Sequence, residues 1–277
     1  MRANATQPGF DTRGWLRNGH ALMSTSPSLH VLPTRTAGAA ENMAIDFLLL
    51  QRYPDAGAAR FRHYDWRGPA FTFGFSQKIA FVREKLAADL PADLCRRPTG
   101  GGIVDHRNDW TYALVIPRGH PLEEARATQS YRVVHECLAE ALTALGQPIE
   151  VKAVCEPEVE RVNPNAFEAG ASCGQAAPPT GVCFQKAELF DVVNARTGAK
   201  VAGAAQKRNK HGLLFQGSIE KSSVSTLDWD DFGTRFVAAL GRALGSEAVE
   251  TPWPELNEDE VSGLIEQYST TEWIEYR

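Results

Sequence analysis

Two sets of residues in this 277-residue sequence have the types and spacing for group-transfer chemistry. The first is Cys95-Arg96-Arg97-Pro98-Thr99-Gly100-Gly101-Gly102-Ile103-Val104-Asp105-His106. Three consecutive glycines permit positive φ and close backbone approach to a ligand, and their N–H groups can cradle phosphate or carbonyl oxygens. Arg96 and Arg97 would add cationic partners. Taken alone, the triple glycine also fits a hairpin bend, and His106 fits a structural hydrogen bonder. The second set joins Gly181-Val182-Cys183-Phe184 to Lys200-Val201-Ala202-Gly203-Ala204-Ala205-Gln206-Lys207-Arg208. A cation near Cys183 would favour the thiolate, the nucleophilic form. The alternative is a buried structural cysteine with a surface lysine. The small residues from Ala202 to Ala205 would let a long ligand lie flat against a strand, or mark tight packing.

Other chemistries find no support. No Gly-Lys-Ser/Thr follows the glycines and no strand-helix unit of the right order surrounds them, which excludes a nucleotide P-loop and a dinucleotide fingerprint. Cys155, Cys173, Cys183 and His211 lack metal-ligand spacing, so no metal site is expected. A Gly-x-Ser-x-Gly nucleophile elbow is absent. Lys207, Arg208, Lys210 and His211 form a basic run that reads either as a solvated turn or as an electrostatic docking point for an acidic partner.

Positioning these residues requires a folded core, and hydrophobic residues at 43% with charged residues at 23% supply one. A net charge of −5 argues against a dedicated nucleic-acid or anionic-membrane binder. No run approaches the ~18 apolar residues of a membrane span. The first thirty residues lack the continuous apolar stretch of a secretory signal, and five cysteines, an odd number, suit a reducing compartment. A cytoplasmic protein is expected. Residues 1–38 read as a mobile leader, adding at most a strand near His30-Val31-Leu32, with Met23 rather than Met1 the expected translation start.

The spacing predicts a helix from Ala39, with Met43, Phe47, Leu48 and Leu50 apolar, stopped by Pro54. Strands are expected at Arg60–Trp66, Ala70–Gly74, Leu94–Arg97, Trp110–Ile116 and Ile149–Val154, and a short helix over Arg83–Leu90. Tyr131, Val134, Leu138, Ala141, Leu142 and Leu145 line one helix face. A hairpin is expected from Glu188–Val193 and Ala199–Ala205, followed by a strand at Gly212–Ile219 and helices around Trp229–Leu244 and Glu258–Tyr268. Residues 155–181 form a long loop, a candidate lid. Strands interleaved irregularly with helices indicate an α+β fold with a mixed or antiparallel sheet flanked by helices.

Five ordered segments carry a resemblance: Glu41-Asn42-Met43-Ala44-Ile45-Asp46, the turn Gly74-Phe75-Ser76-Gln77, the stretch Arg96–His106, Cys183-Phe184, and Lys200–Arg208. In this order, from Glu41 to Ile219, they resemble the biotin/lipoate protein ligase family. The resemblance implies one catalytic domain at 39–245, between the 1–38 leader and a helical extension at 246–277. It also implies that Gln77, Arg96, Arg97, Thr99, Gly100, Gly101, Gly102, His106, Gly203 and Ala204 line a lipoyl, octanoyl or biotinyl site beside Lys200. The Gly-Arg-Gly-Arg loop of biotin ligases is absent. Cys183-Phe184 stands where lipoate ligases carry Asn-Asp, and is similar to the cysteine-dependent octanoyltransferases and lipoyl amidotransferases. Where many members have His-Gly-Ser or His-Gly-Thr, this sequence has Gln216-Gly217-Ser218.

The activity so implied is acyl transfer through a Cys183 thioester to a lysine of a lipoyl domain, without a cofactor. Lys200 would polarise the carbonyl or take the amine proton, and N–H groups near Gly101 and Gly102 would serve as oxyanion donors. The donor would be octanoyl acyl carrier protein or a lipoylated or octanoylated protein. The alternatives are an ATP- and Mg-dependent lipoate–protein ligase and a non-catalytic acyl- or lipoyl-domain-binding module.

Overall fold

A computed structural model describes residues 27–86, 92–153 and 187–276. The first half runs β1 (Ser28–Ala37), α1 (Ala39–Gln51), β2 (Ala59–Trp66), β3 (Ala70–Phe73), α2 (Ile79–Lys85), β4 (Asp93–Arg96), β5 (Ile103–Asp105) and β6 (Asp109–Pro117). There follow α3 (Pro121–Glu124), α4 (Ala127–Ala144), β7 (Ile149–Val151), β8 (Val192–Asn194), β9 (Lys200–Asn209) and β10 (Gly212–Glu220). The chain closes with α5 (Trp229–Leu244), β11 (Glu247–Glu250), α6 (Glu258–Ser269) and α7 (Thr271–Ile274).

Eight strands form one mixed sheet in the order β11-β1-β2-β6-β10-β9-β8-β7, with β1 parallel to both its neighbours and the other pairs antiparallel. Three more form a small sheet in the order β4-β3-β5. The central strand β6 reads Asp-Trp-Thr-Tyr-Ala-Leu-Val-Ile-Pro and is buried along its length, as a strand covered on both faces must be. On one face, Val134, Leu138, Ala141 and Leu142 of α4 and Phe232, Phe236 and Leu240 of α5 pack on Phe61, Tyr112, Leu114 and Phe215. Asp228 caps α5 by accepting from Asp230 N and Asp231 N, and Gly245 ends it at φ +59°. On the other face, Ile45, Leu49 and Leu50 of α1 cover Leu32, Tyr64, Val115 and Leu214. The small sheet joins this face through Asp93, whose carboxylate accepts from Ala39 N at 2.6 Å.

The α+β expectation holds, and four boundaries move. The strand anticipated at His30–Leu32 has ten residues and pairs with β2 and β11, so residues from Ser28 belong to the main sheet and not to a leader. The segment after residue 245 is not purely helical, because β11 extends the same sheet. The helix expected at Arg83–Leu90 begins earlier, at Ile79, and residues 87–91 lie outside the described residues. The hairpin pairs β8 with β9 only at Val192↔Ala202 and Val193↔Lys200, a register that leaves Val201 as an extra residue on β9. Met23 and the loop 155–181 also lie outside the described residues.

Candidate active site

The bulge at Val201 matters because an extra residue re-aims the side chains beyond it. Val201 and Ala202 are both buried in the core, and the Lys200 side chain crosses the strand over Gly203. A Cβ on Gly203 would stand 2.6 Å from Lys200 Nζ and 3.1 Å from Asp191 Oδ1. Gly203 therefore clears a path for Lys200 itself, where the sequence alone offered a flat bed for a ligand. The amine meets Asp191 Oδ2 at 2.8 Å, in a pair whose carboxylate is fully buried. Asp191 Oδ2 also accepts from Glu188 N at 2.7 Å, and Oδ1 accepts from Tyr131 OH at 2.5 Å. The same phenol oxygen accepts from Ala204 N at 3.0 Å, on the edge of β9 past the end of β8. Burial, and then the Asp191 charge, push the Tyr131 phenol well above its usual pKa, so it stays a donor to the carboxylate. Phe190, next to Asp191, holds φ +67°, a strained conformation for a side chain with a Cβ. Its carbonyl accepts from His135 Nδ1 at 2.6 Å. A carbonyl cannot donate, so the His135 proton sits on Nδ1, and Nε2 is buried without a partner among the described residues.

The glycine loop lies beside this strand, since a Cβ on Gly101 would be 3.8 Å from Ala205 Cβ. Gly101 has φ +88°. Gly74 must also be glycine, because a Cβ there would fall 2.0 Å from Gly101 O. The loop's carbonyls are bonded inward: Gly102 O accepts from Gly74 N at 3.2 Å, Thr99 O from Phe75 N at 2.8 Å, and Gly101 O from Gln77 Nε2 at 3.3 Å. The N–H groups of Gly100, Gly101 and Gly102 donate to no other group among the described residues. Arg97 donates to Gly100 O, Gly102 O and Thr72 Oγ1, and fully buried Arg96 donates to Phe75 O, Gln77 O, Trp273 O and Ile274 O. These bonds tie both guanidiniums into the scaffolding of the loop.

A model of the lipoyl protein ligase A/B catalytic domain matches residues 38–232. The chain belongs to that family. Octanoyltransferase LipM of Bacillus cereus is 31% identical over 180 residues, which are 64% of this chain and 60% of that protein. LipM of an Exiguobacterium species is 29% identical over 214 residues, 75% of this chain and 71% of its own length. The chain thus spans about 60% of the length of the first of these relatives. In fold it is similar to a lipoate-protein ligase A crystallised with ATP, at TM-score 0.67 and 16% identity, covering 90% of this chain and 98% of the other. It is also similar to a bipartite lipoate protein ligase from Thermoplasma acidophilum, at TM-score 0.64 and 16% identity, over 91% and 98% of the two chains.

Within this lipoyl ligase A/B domain the remaining expected residues separate into groups. Thr99 is buried and donates to Gln216 Oε1 at 2.7 Å, while Gln216 Nε2 donates to Asp46 Oδ2 at 2.7 Å. His106 lines a cleft of about 440 Å³ with Trp66, Asp109 and Lys221, a lining that includes neither Lys200 nor Gly100, Gly101 and Gly102. Its Nδ1 and Ser218 Oγ both bond Asp109 Oδ2, at 2.7 and 2.5 Å, and its Nε2 bonds Thr72 Oγ1 at 2.8 Å. Burial raises the Asp109 carboxyl, but His106, Ser218 and Thr111 outweigh it and leave the group below its usual pKa. His106 is built into a hydrogen-bonded frame, with its ring 4.0 Å from that of Trp66. Lys207 rests over the Phe75 ring at 5.7 Å, and Arg208 donates to Ala125 O at 2.7 Å.

Cys183 lies outside the described residues, as do Cys155 and Cys173. Burial pushes the Cys137 thiol up to about 12 and raises Cys95 further, so neither of the two described cysteines suits a thiolate role. Among the described residues no cluster of three or more His, Cys, Asp and Glu could hold a metal ion, and no helix is long and apolar enough to cross a membrane. Sequence reasoning missed Asp191 and Tyr131. The signal for Tyr131 was its place on the apolar face of α4, which hid its hydroxyl; for Asp191 there was only an acid shortly before the lysine strand.

Proposed function

We propose that this chain transfers an octanoyl or lipoyl group through a thioester on Cys183 to a lysine amine of a lipoyl domain. The observation that carries this reading is Lys200, held across Gly203 by buried Asp191, which Tyr131 bonds in turn, on a strand packed against a glycine loop whose N–H groups have no partner among the described residues. The relatives named octanoyltransferase support it.

In the first step the Cys183 thiolate attacks the donor thioester carbonyl. The bond to the carrier sulfur breaks, and the proton lost when Cys183 ionised returns to that sulfur, so the carrier leaves as a thiol. Thioester is exchanged for thioester, so no ATP is required. In the second step the unprotonated lysine amine attacks the acyl-enzyme, the C–S bond breaks, the amide forms, and the amine proton goes to the departing cysteine sulfur. Charge develops on the carbonyl oxygen in both steps. The Lys200 ammonium and the loop N–H groups are the donors suited to meet it, preorganised by the Asp191 pair and by Arg97.

Incubation with octanoyl acyl carrier protein in the absence of ATP, followed by intact mass measurement, tests the reading. An octanoyl adduct is expected on the wild-type chain and none on Cys183→Ala. No adduct, or an adduct retained in Cys183→Ala, overturns the thioester route. Modification of a lipoyl domain that depends strictly on ATP identifies a ligase instead.

A further inference from the structure

Gln216 sits at the middle of β10, on the face that looks toward α1, between Leu214 and Ser218. Its amide bridges two parts of the molecule. On one side Nε2 donates to Asp46 Oδ2 at 2.7 Å and approaches Met43 Sδ at 3.2 Å. Asp46 is itself fixed, with Oδ1 accepting from Arg62 Nε at 2.7 Å and Oδ2 from Tyr64 OH at 3.2 Å. On the other side Gln216 Oε1 accepts from Thr99 Oγ1. Thr99 opens the glycine loop, and its carbonyl accepts from Phe75 N. One chain of bonds therefore runs from Arg62 through Asp46 and Gln216 to the loop.

We propose that Gln216 is a positioning residue, setting the glycine loop through Thr99 against the Asp46 carboxylate by means of an amide that does not ionise. A primary amide accepts on one side and donates on the other in a single protonation state. An imidazole in this place, as the family pattern offers, would stand against a buried carboxylate that favours its charged form, and its bonding would change with pH. The titratable and charged groups facing Gln216 are Asp46 from α1 and Arg62 and Tyr64 from β2; Arg97 reaches the loop from the side of the small sheet. The inference deepens the acyl-transfer reading, because the loop is the acyl cradle in that reading.

Hydrogen exchange on the full chain tests it without requiring activity. The amides of Gly74 and Phe75 donate to Gly102 O and Thr99 O and so report the loop's placement. Gln216→Leu is expected to speed exchange at these two amides about tenfold while leaving the β10 to β6 ladder unchanged. Gln216→Glu provides a second variant that keeps the shape. Protonated, its O–H replaces the Nε2–H donor to Asp46, so loop exchange matches wild type at low pH. Ionised, it sets two carboxylates together, and exchange at Gly74 and Phe75 rises toward that of Gln216→Leu relative to wild type at the same pH. Unchanged exchange at Gly74 and Phe75 in Gln216→Leu, an equal rise throughout β10, or a Glu variant whose ratio to wild type does not vary with pH overturns the proposal. If wild-type protein forms no octanoyl adduct, the acyl reading fails while the exchange result still decides Gln216. Where the adduct forms, Gln216→Leu should raise KM for the octanoyl donor more than it lowers kcat.

Discussion

Arg96 and Lys200 are both largely buried cations, one leading into the glycine loop and one opening the strand that packs against it, and they are held in opposite ways. Arg96 meets backbone carbonyls from two distant segments, Phe75 and Gln77 before the loop and Trp273 and Ile274 near the C-terminus. Lys200 meets a carboxylate, on a strand edge where Gly203 has been emptied of side chain to admit it. A guanidinium bonded to four carbonyls anchors chain to chain, because each bond restrains backbone and releasing one leaves a polar group unmatched. An ammonium held by a carboxylate that is itself held by Tyr131 and Glu188 N is aimed instead. What a buried charge is bonded to is set by the tertiary structure, and sequence adjacency to a glycine run does not record it.

The contrast can be broken most strongly at Arg96. Arg96→Met removes the donor to four carbonyls and is expected to lower the unfolding free energy by about 3–5 kcal/mol, measured by urea denaturation. Near-native stability with weakened acyl-donor binding would return Arg96 to the ligand-facing role. The lysine side should show the reverse. Lys200→Met, made together with Asp191→Asn so that no lone carboxylate stays buried, is expected to keep the fold and to slow octanoyl transfer by about 10²–10³. Transfer rates within a few-fold of wild type in single-turnover assays would remove Lys200 from the chemistry.

The smallest effect sharpens the comparison by pH. Burial holds His135, whose ring lies 4.1 Å from that of Tyr131, at a pKa of about 4 against an unfolded value of about 6.5. The unfolded chain therefore binds more protons between these values. His135 costs nothing above pH 6.5, and stability is lost as pH falls toward 4, by up to about 3 kcal/mol. Urea denaturation at pH 7 and pH 4 should show His135→Gln losing less stability than wild type over this window. An equal loss in both proteins would mean that protonation of His135 is not coupled to the packing under Lys200.

Much of the secondary structure was legible in the sequence because its signals are local. The apolar stripe of α4, the helix around Trp229–Leu244 and the strand at Trp110–Ile116 follow from side-chain period and residue type. β1 was underestimated because its outward residues Thr34 and Arg35 sit among the proline and threonine of an apparently irregular segment, and its pairing with β2 and β11 depends on residues far along the chain. The short pairing of β8 and its bulge were hidden for the same reason.

The sequence by itself determined an α+β chain with a glycine loop, a lysine strand and the ordered segments that carry the family, since types and order of residues are written along the chain. Only the tertiary structure decided what each does. It bonded Arg96 to carbonyls of distant segments and Arg97 to the loop, cleared Gly203 for Lys200, paired that lysine with Asp191, and joined Asp191 to Tyr131 across 60 residues of sequence. It also linked Asp46 to Gln216 across 170 residues and Gln216 to Thr99 across 117. The physical reason is that a buried polar group must find its partner wherever packing puts one, and no local period records that partner.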